Sequence, residues 1–307
     1  MKKSPFPRLL APSVALLSLA GCWLDTPGHG QSSNDAWVAR DAHTAPDAAV
    51  PEDAGPTPDA SVLGNGTIGI YLTGDLTPRE FTDGLTGQTP SSYLIALSRF
   101  YTLTGMDDPA PALCFDHGDT PVVADLYADT LMGSCATATI PTAVYLAGKV
   151  KVDWVQHTVA GVLHYQSMSL PGTFTFFRAY SDTEVEGEPY LAGDGWIRFS
   201  GAVEYQMAMT YEPLPQLPGL IQETVAGEFW LTFPYTRPLE VVQDDPGQHW
   251  SRMHWEIFEA FRWQESDLAG NADGTWDVGA TVADTEVVVN AGVTGYHITA
   301  STDASDL

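Results

Sequence analysis

The sequence predicts an all-β protein, organised as an antiparallel β-sandwich or as two such sandwiches in tandem. The first observation is a hydrophobic period of two, because Ile68, Ile70 and Leu72 fall on one face of a strand. The second is the alternation of charged and apolar residues over 149–154, which is typical of a strand with one solvated face. The third is the presence of turn signals between such segments, as at Pro171-Gly172.

Further strands are predicted where aromatic and β-branched residues cluster. They cover 172–180, 196–199, 203–211, 227–233 and 285–290. Two segments, 93–103 and 252–262, fit either a strand or a helix. In the second, apolar residues alternate from Met253 to Trp263, and Glu259 alone breaks the pattern.

The N-terminal residues have the composition of a secretory signal. Lys2, Lys3 and Arg8 precede an apolar run over 9–20, which is followed by Gly21 and Cys22. The segment Leu-Ala-Gly-Cys at 19–22 resembles the lipobox of bacterial lipoproteins. This resemblance implies cleavage before Cys22, a diacylglycerol on its sulfur and an acyl chain on its amine. The protein is therefore expected to be exported and held to the bacterial cell membrane or envelope by its N-terminal lipid.

Two alternatives to lipidation are an uncleaved signal anchor and a plain secretory signal with an incidental cysteine. The apolar run is shorter than the ~20 residues that a spanning helix needs, and Pro12 and Ser13 interrupt it. Cysteine is also scarce in the rest of the chain. The lipoprotein interpretation is therefore favoured.

Composition divides the chain into four parts. A signal peptide is expected over 1–21, and residues 22–62 form a proline-rich, acidic tether that is predicted to be disordered, because it cannot bury enough apolar surface to offset its ordering entropy. The β-sandwich body covers 63–300, with a possible internal boundary near 181–194, and 301–307 is a flexible tail. A body of about 240 residues is long for one domain, but all-β proteins do reach this size.

The chain contains three cysteines, an odd number for an exported protein. If Cys22 carries lipid, Cys114 and Cys135 remain as a pair, and an oxidising compartment favours a disulfide between them. Closing a loop of that length is expected to stabilise the fold by about 3 kcal/mol. A two-cysteine metal site is the alternative; His117 lies nearby, but no CxxC motif is present.

The formal net charge is −26, from 39 acidic and 13 basic side chains. Such a charge repels nucleic acid and anionic membrane surfaces, so membrane contact is expected only through the N-terminal lipid. Cations, cationic peptides and neutral glycans remain possible partners. The charge is also explained by the solubility of an anchored surface protein.

The first half of the body resembles bacterial lipoprotein domains of unknown function that have prealbumin-like sandwiches. The similarity lies in the segments 66–73 and 140–145, which are followed by the strand 149–154. Gly74-Asp75 departs from the usual Asp-Ala-Pro turn, and Ala143 replaces a glycine in the Pro-x-Gly-x-Tyr corner. The resemblance implies a sandwich fold but no activity.

A candidate calcium site lies near the C-terminus, and calcium is the one cofactor that the sequence suggests. Closely spaced side-chain oxygens around a glycine turn are the ligands that this cation needs, and here they come from Asp267, Asn271, Asp273 and Asp277. An EF-hand register fails, because alanines stand where its first and twelfth ligands belong. An ordinary acidic turn explains the segment as well.

Two histidine clusters are further candidates. His249, His254 and Glu256 offer zinc ligands if 252–263 is a strand, because His254 and Glu256 then share a face. The run 116–119 places His117 between two aspartates, where it is either an acid–base residue or part of a polar loop.

Six tryptophans in the body fit either a sugar-stacking platform or a large aromatic core, and the core is favoured. They are Trp196, Trp230, Trp250, Trp255, Trp263 and Trp276.

No hydrolase elbow, phosphate-binding glycine loop, dinucleotide fingerprint or metalloprotease helix occurs in the sequence. The sequence therefore favours a non-enzymatic binding or adhesion module of the cell envelope, with a glycan or an envelope protein as its ligand. The alternative is a secreted hydrolase of envelope polymers, similar to a glycosidase and using two carboxylates ~5–10 Å apart.

Overall fold

A computed structural model describes residues 66–165, 167–212, 219–242, 247–266, 273–279 and 285–302. These residues form nineteen strands and one 3-10 helix, Thr137–Thr139, so the all-β prediction is confirmed. The strands are β1 (Thr67–Asp75), β2 (Thr86–Gln88), β3 (Ser92–Leu103), β4 (Ala112–Asp116), β5 (Val122–Asp125), β6 (Thr130–Ala136), β7 (Ala143–Tyr165), β8 (Met168–Ala179), β9 (Thr183–Val185), β10 (Glu188–Tyr190), β11 (Asp194–Gly201), β12 (Glu204–Thr210), β13 (Ile221–Val225), β14 (Glu228–Val241), β15 (Gln248–Glu256), β16 (Phe261–Gln264), β17 (Asp277–Val278), β18 (Val287–Ala291) and β19 (Gly295–Ser301).

Fourteen of the strands belong to one sheet, whose main path is β12-β11-β8-β7-β14-β19-β15-β1-β6. Two smaller sheets are β9 with β10, and β16 flanked by β2 and β18. Most pairs are antiparallel, as expected, but β1 with β15, β14 with β19 and β17 with β7 are parallel. The sheet is therefore mixed, because strands far apart in the chain meet in the same direction. The tandem sandwich stays a prediction.

The 23-residue strand β7 is the centre of this sheet. It pairs with β3, β8, β14 and β17, whereas the sequence predicts a strand only over 149–154. The two ambiguous segments are also extended: β3 covers the first, and β15 and β16 cover most of the second. Between β15 and β16, Glu259 has a positive φ of 44°, which explains the break in its alternation.

The largest hydrophobic core collects the inward-facing residues of β1, β3, β7, β14, β15 and β19. Ile70, Leu97, Val150, Met253 and Ile298 are fully buried there. Burial of each large apolar side chain contributes about 1.5–3 kcal/mol to the free energy of unfolding. This core fixes which face of β1, β15 and β19 is turned away from it, because successive side chains on a strand point to opposite faces.

A second, largely aromatic cluster packs Phe174 and Phe261 against Trp276, with ring centroids 4.9 Å apart in both contacts. Of the six tryptophans considered for a sugar platform, Trp230, Trp255, Trp263 and Trp276 are buried, and Trp196 and Trp250 are half-buried. The core interpretation is confirmed for the four buried rings.

Cys114 of β4 and Cys135 of β6 form a disulfide pair, with Cα atoms 5.0 Å apart. The residue next to Cys114 packs tightly: Phe115 stacks on Phe100 and fills the space beside Gly133. The predicted cysteine pairing is thus at disulfide distance, and it links two strands that are not hydrogen-bonded to each other in the sheet.

The predicted signal peptide, Cys22 and the tether over 22–62 lie outside the described residues, as do Asp267 and Asn271. No helix within the described ranges has the length and apolar character needed to cross a membrane.

Candidate functional site

The outward face of β1, β15 and β19 carries a cluster of polar side chains, which we name the carboxylate–histidine face. It consists of Asp75, His254, Glu256 and His297, together with Arg79, which follows β1. The register places Asp75 opposite Glu256, and His254 opposite His297. Three adjacent strands thus bring together residues that are far apart in the chain.

The two carboxylates and one imidazole of this face converge. One ligand atom each from Asp75, Glu256 and His297 lies within 4.8 Å of the other two. The carboxylates share Arg79, whose Nη2 is 2.8 Å from Asp75 Oδ2 and whose Nη1 contacts Glu256. Gly295 lies opposite Glu256, and a Cβ at this position would clash with the carboxylate.

The environment of Asp75 keeps its carboxyl ionised. Burial raises the pKa of Asp75, but hydrogen bonds from Thr77 and the positive charge and hydrogen bond of Arg79 outweigh burial. The pKa is therefore lowered from its ordinary value of 3.8. This carboxylate is suited to holding a cation or a hydrogen-bond donor.

The two histidine rings of the face stack with centroids 4.4 Å apart and planes inclined by 6°. Burial and, to a smaller extent, the neighbouring His297 and Arg252 together lower the pKa of His254 to about 4. His254 is therefore neutral at pH 7. Its Nε2 lies 3.4 Å from the hydroxyl of Thr299.

Two carboxylates and an imidazole are ligands that zinc accepts. Here Arg79 already pairs with both carboxylates, so a metal ion would compete with its guanidinium. Glycosidase chemistry needs one protonated carboxylic acid with a raised pKa, and the lowered pKa of Asp75 does not provide it. The arrangement is better suited to binding than to general-acid catalysis.

The structure assembles the predicted His249, His254 and Glu256 cluster only in part. His254 and Glu256 do share a face, but His249 is buried on the other face, opposite Ile68. His297 takes the third position instead. The sequence does not predict this role for His297, because the strand 295–301 shows only a short alternation of Ile298 and Ala300 with polar residues.

Of the four predicted calcium ligands, the structure describes Asp273 and Asp277, and these two make separate contacts. Asp273 accepts a hydrogen bond from the backbone N–H of Thr275 at 2.9 Å, as in an Asx turn. Asp277 is buried and lies 2.8 Å from His164 Nε2. With Asp267 and Asn271 outside the described residues, the calcium site stays a prediction.

The residues around His117 form a polar loop. Asp116 pairs with Arg99 at 2.8 Å, and its pKa is lowered by a hydrogen bond from the backbone of Gly118 and by Arg99. His117 Nε2 lies 2.7 Å from the carbonyl oxygen of Met132. These contacts tie the loop to β3 and β6.

Comparison of the chain with protein families, with curated proteins and with solved structures finds no match.

Proposed function

We propose that this protein is a lipoprotein of the bacterial cell envelope, anchored through lipid on Cys22. Its β-rich body would be a binding or adhesion module that performs no chemistry at the carboxylate–histidine face. The number and pairing of the cysteines are the observation that supports lipidation of Cys22. Three cysteines occur in the chain, and Cys114 with Cys135 forms an intramolecular pair. Cys22, directly after Leu-Ala-Gly, is left as the only cysteine available for another role.

The test of the anchor is membrane fractionation of cells that express Cys22→Ser. The parent protein should stay with membranes after a high-salt wash and should incorporate radiolabelled palmitate. The Cys22→Ser variant should lose the label and no longer depend on detergent for extraction. A Cys114→Ser/Cys135→Ser double variant is the matched control, because it changes two cysteines and should keep both label and anchor. Palmitate on the Cys22→Ser variant would refute the proposal.

The carboxylate–histidine face is the proposed binding surface. It combines the carboxylate oxygens of Asp75 and Glu256 with the donors of Arg79 and the flat rings of His254 and His297. Such a set can hydrogen-bond the hydroxyl groups of a neutral glycan or the basic side chains of an envelope protein. The net charge of −26 supports a neutral or cationic ligand over an anionic one.

Co-sedimentation of the Cys22→Ser protein with isolated cell envelopes tests this surface. Glu256→Gln and His297→Gln should each weaken sedimentation, whereas Glu204→Gln should leave it unchanged. Glu204 is exposed on the outer strand β12, so its substitution makes the same charge change away from the face. Equal sedimentation of all three variants and the parent would exclude this face as the binding surface.

A further inference from the structure

Three side chains at the β7–β8 hairpin form a connected hydrogen-bond relay. Ser169 Oγ lies 3.1 Å from His164 Nδ1, and His164 Nε2 lies 2.8 Å from Asp277 Oδ1. An ionised carboxylate can only accept a hydrogen bond, so the proton of a neutral imidazole belongs on Nε2. Nδ1 is then the acceptor for the Ser169 hydroxyl.

The fold fixes each member of the relay. His164 and Ser169 are register partners across the hairpin, and Asp277 pairs with Val162 on the other side of β7. The side chain of Asp277 is 7% exposed and that of His164 is 28% exposed, whereas Ser169 is exposed. The relay thus runs from a buried carboxyl group through a half-buried imidazole to an accessible hydroxyl.

The backbone around Asp277 is also held in place. Its N–H donates to Glu286 Oε2 at 3.0 Å, and the other carboxylate oxygen of Glu286 accepts from the N–H of Ser266 at 2.8 Å. Trp276, the preceding residue, donates from its ring nitrogen to the carbonyl oxygen of Glu286 at 3.1 Å. The carboxylate that contacts His164 therefore belongs to a buried segment that is hydrogen-bonded to Glu286.

We infer that Ser169, His164 and Asp277 form a nucleophilic triad for the hydrolysis of carboxylic esters, a function separate from the proposed binding face. The order of a serine, a histidine and a carboxylate is the one that serine hydrolases use, except that here Nδ1 rather than Nε2 of the histidine faces the serine. It also differs from the glycosidase-like hydrolase that is the alternative to a binding module in the sequence prediction, because the nucleophile is a hydroxyl and only one carboxylate takes part.

The reaction proceeds in two balanced steps. Ser169 Oγ attacks the ester carbonyl carbon while its proton moves to His164 Nδ1; the C–O bond to the alcohol then breaks, and the alcohol leaves with that proton. Water next attacks the acyl-serine, gives one proton to His164 and releases the acid, and the proton returns to Ser169. Asp277 stabilises the imidazolium in both steps. The nearby Asp277 and Glu286 carboxylates repel anions, so an uncharged ester is the expected substrate class.

A fluorescent fluorophosphonate is the probe for the nucleophile, used on the purified full chain. Peptide mapping should place the label on Ser169, and the protein should hydrolyse p-nitrophenyl acetate. Ser169→Ala should abolish labelling, and His164→Gln should slow it by ~100-fold or more, the usual effect of losing a general base. Ser167→Ala is the matched control, because Ser167 is an exposed serine two residues away and should be dispensable.

A second measurement separates activation from folding effects. The thiol introduced by Ser169→Cys should react with iodoacetamide faster than that introduced by Ser167→Cys, and adding His164→Gln should remove the difference. Equal rates for the two thiols, or labelling of Ser169 that is indifferent to His164→Gln, would overturn the proposal. His164 would then only tie the hairpin to β17. Neither outcome bears on the anchor or on the carboxylate–histidine face.

Discussion

The guanidinium of Arg262 lies 2.6 Å from the carboxylate of Asp83, although β16 and the segment after β1 are far apart in the chain. The side chain of Arg262 is 4% exposed, and its guanidinium carbon lies 3.8 Å from the ring centroid of Phe81. Glu259 provides a second, longer ion pair at 3.2 Å. A buried cation thus fixes the segment that precedes β2.

Asp83→Asn should lower the free energy of unfolding by about 2 kcal/mol, because it leaves the buried Arg262 with only its longer contacts to Glu259 and to the carbonyl oxygen of Leu85. Guanidinium denaturation measures this loss. Asp129→Asn is the control: Asp129 also lies 2.6 Å from an arginine, but that arginine, Arg252, is 18% exposed. Asp129→Asn should lower the free energy of unfolding by less than about 1 kcal/mol, because the ion pair that it removes is more exposed. Equal losses in the two variants would mean that burial of Arg262 is not decisive.

His157→Phe should make the protein less sensitive to acid. His157 is buried between Tyr93 and Phe176, its Nε2 has no hydrogen-bond partner among the described residues, and burial lowers its pKa from 6.5 to about 4. Because the unfolded state takes up the proton first, His157 contributes stability above pH 6.5 that is lost as the pH falls toward 4.

Unfolding free energies at pH 7.5 and 4.5 test this expectation. The free energy of unfolding should fall between pH 7.5 and pH 4.5 in both proteins, and the fall should be about 2 kcal/mol smaller in His157→Phe. This difference follows because each unit of pKa shift corresponds to ~1.4 kcal/mol. Between pH 7.5 and 8.5 the two proteins should respond alike. An equal fall in the free energy of unfolding of both proteins on acidification would show that His157 does not couple folding to protonation.

Gly133→Ala should destabilise the β6 edge of the sheet. A Cβ on Gly133 would lie 2.5 Å from the ring of Phe115, which is packed between Phe100 and His117. Overpacking of this kind costs about 1–3 kcal/mol. Gly105→Ala is the control, since nothing lies within 4 Å of the corresponding Cβ. Thermal melting should separate the two variants, and unchanged melting of Gly133→Ala would contradict the packing argument.

Removal of the Cys114–Cys135 bond should lower the free energy of unfolding by about 3 kcal/mol, because the unfolded chain regains the entropy of the open loop. Denaturation of the Cys114→Ser/Cys135→Ser variant measures the loss. A reductant should destabilise the parent by a similar amount and leave the double variant unaffected. Two alkylatable thiols in parent protein freshly isolated from cells would disprove the pairing in the cell.

The all-β class was predictable because alternation along β1 and the middle of β7 is a local property of the sequence. The full length of β7 was not, since residues such as Ala160 and Gly161 carry no strong strand signal and are held there by pairing with β8. The ambiguity at 93–103 has the same origin. Strands buried on both sides lose their alternation, and their partners then decide the conformation.

The sites were predictable only where they depend on neighbouring residues. His254 and Glu256 share a face by local alternation, but Asp75 joins them through a parallel pairing that no short segment encodes. The relay of Ser169, His164 and Asp277 likewise requires β17 to lie beside β7. The register between distant strands depends on the packing of the whole core, so a single sequence does not give it.

The pairing of β1 with β15 also constrains how this chain matures. During synthesis from the N-terminus, Thr67–Asp75 emerges long before Gln248–Glu256, its parallel partner over nine residues. Until then one edge of β1 keeps its backbone groups unpaired, and the apolar side chains that cover Met253 are exposed to solvent. Such long-range closure slows folding and prolongs the lifetime of aggregation-prone intermediates. Strongly acidic, mutually repelling chains are protected in that interval, so the surplus of carboxylates benefits the nascent protein as much as the finished one.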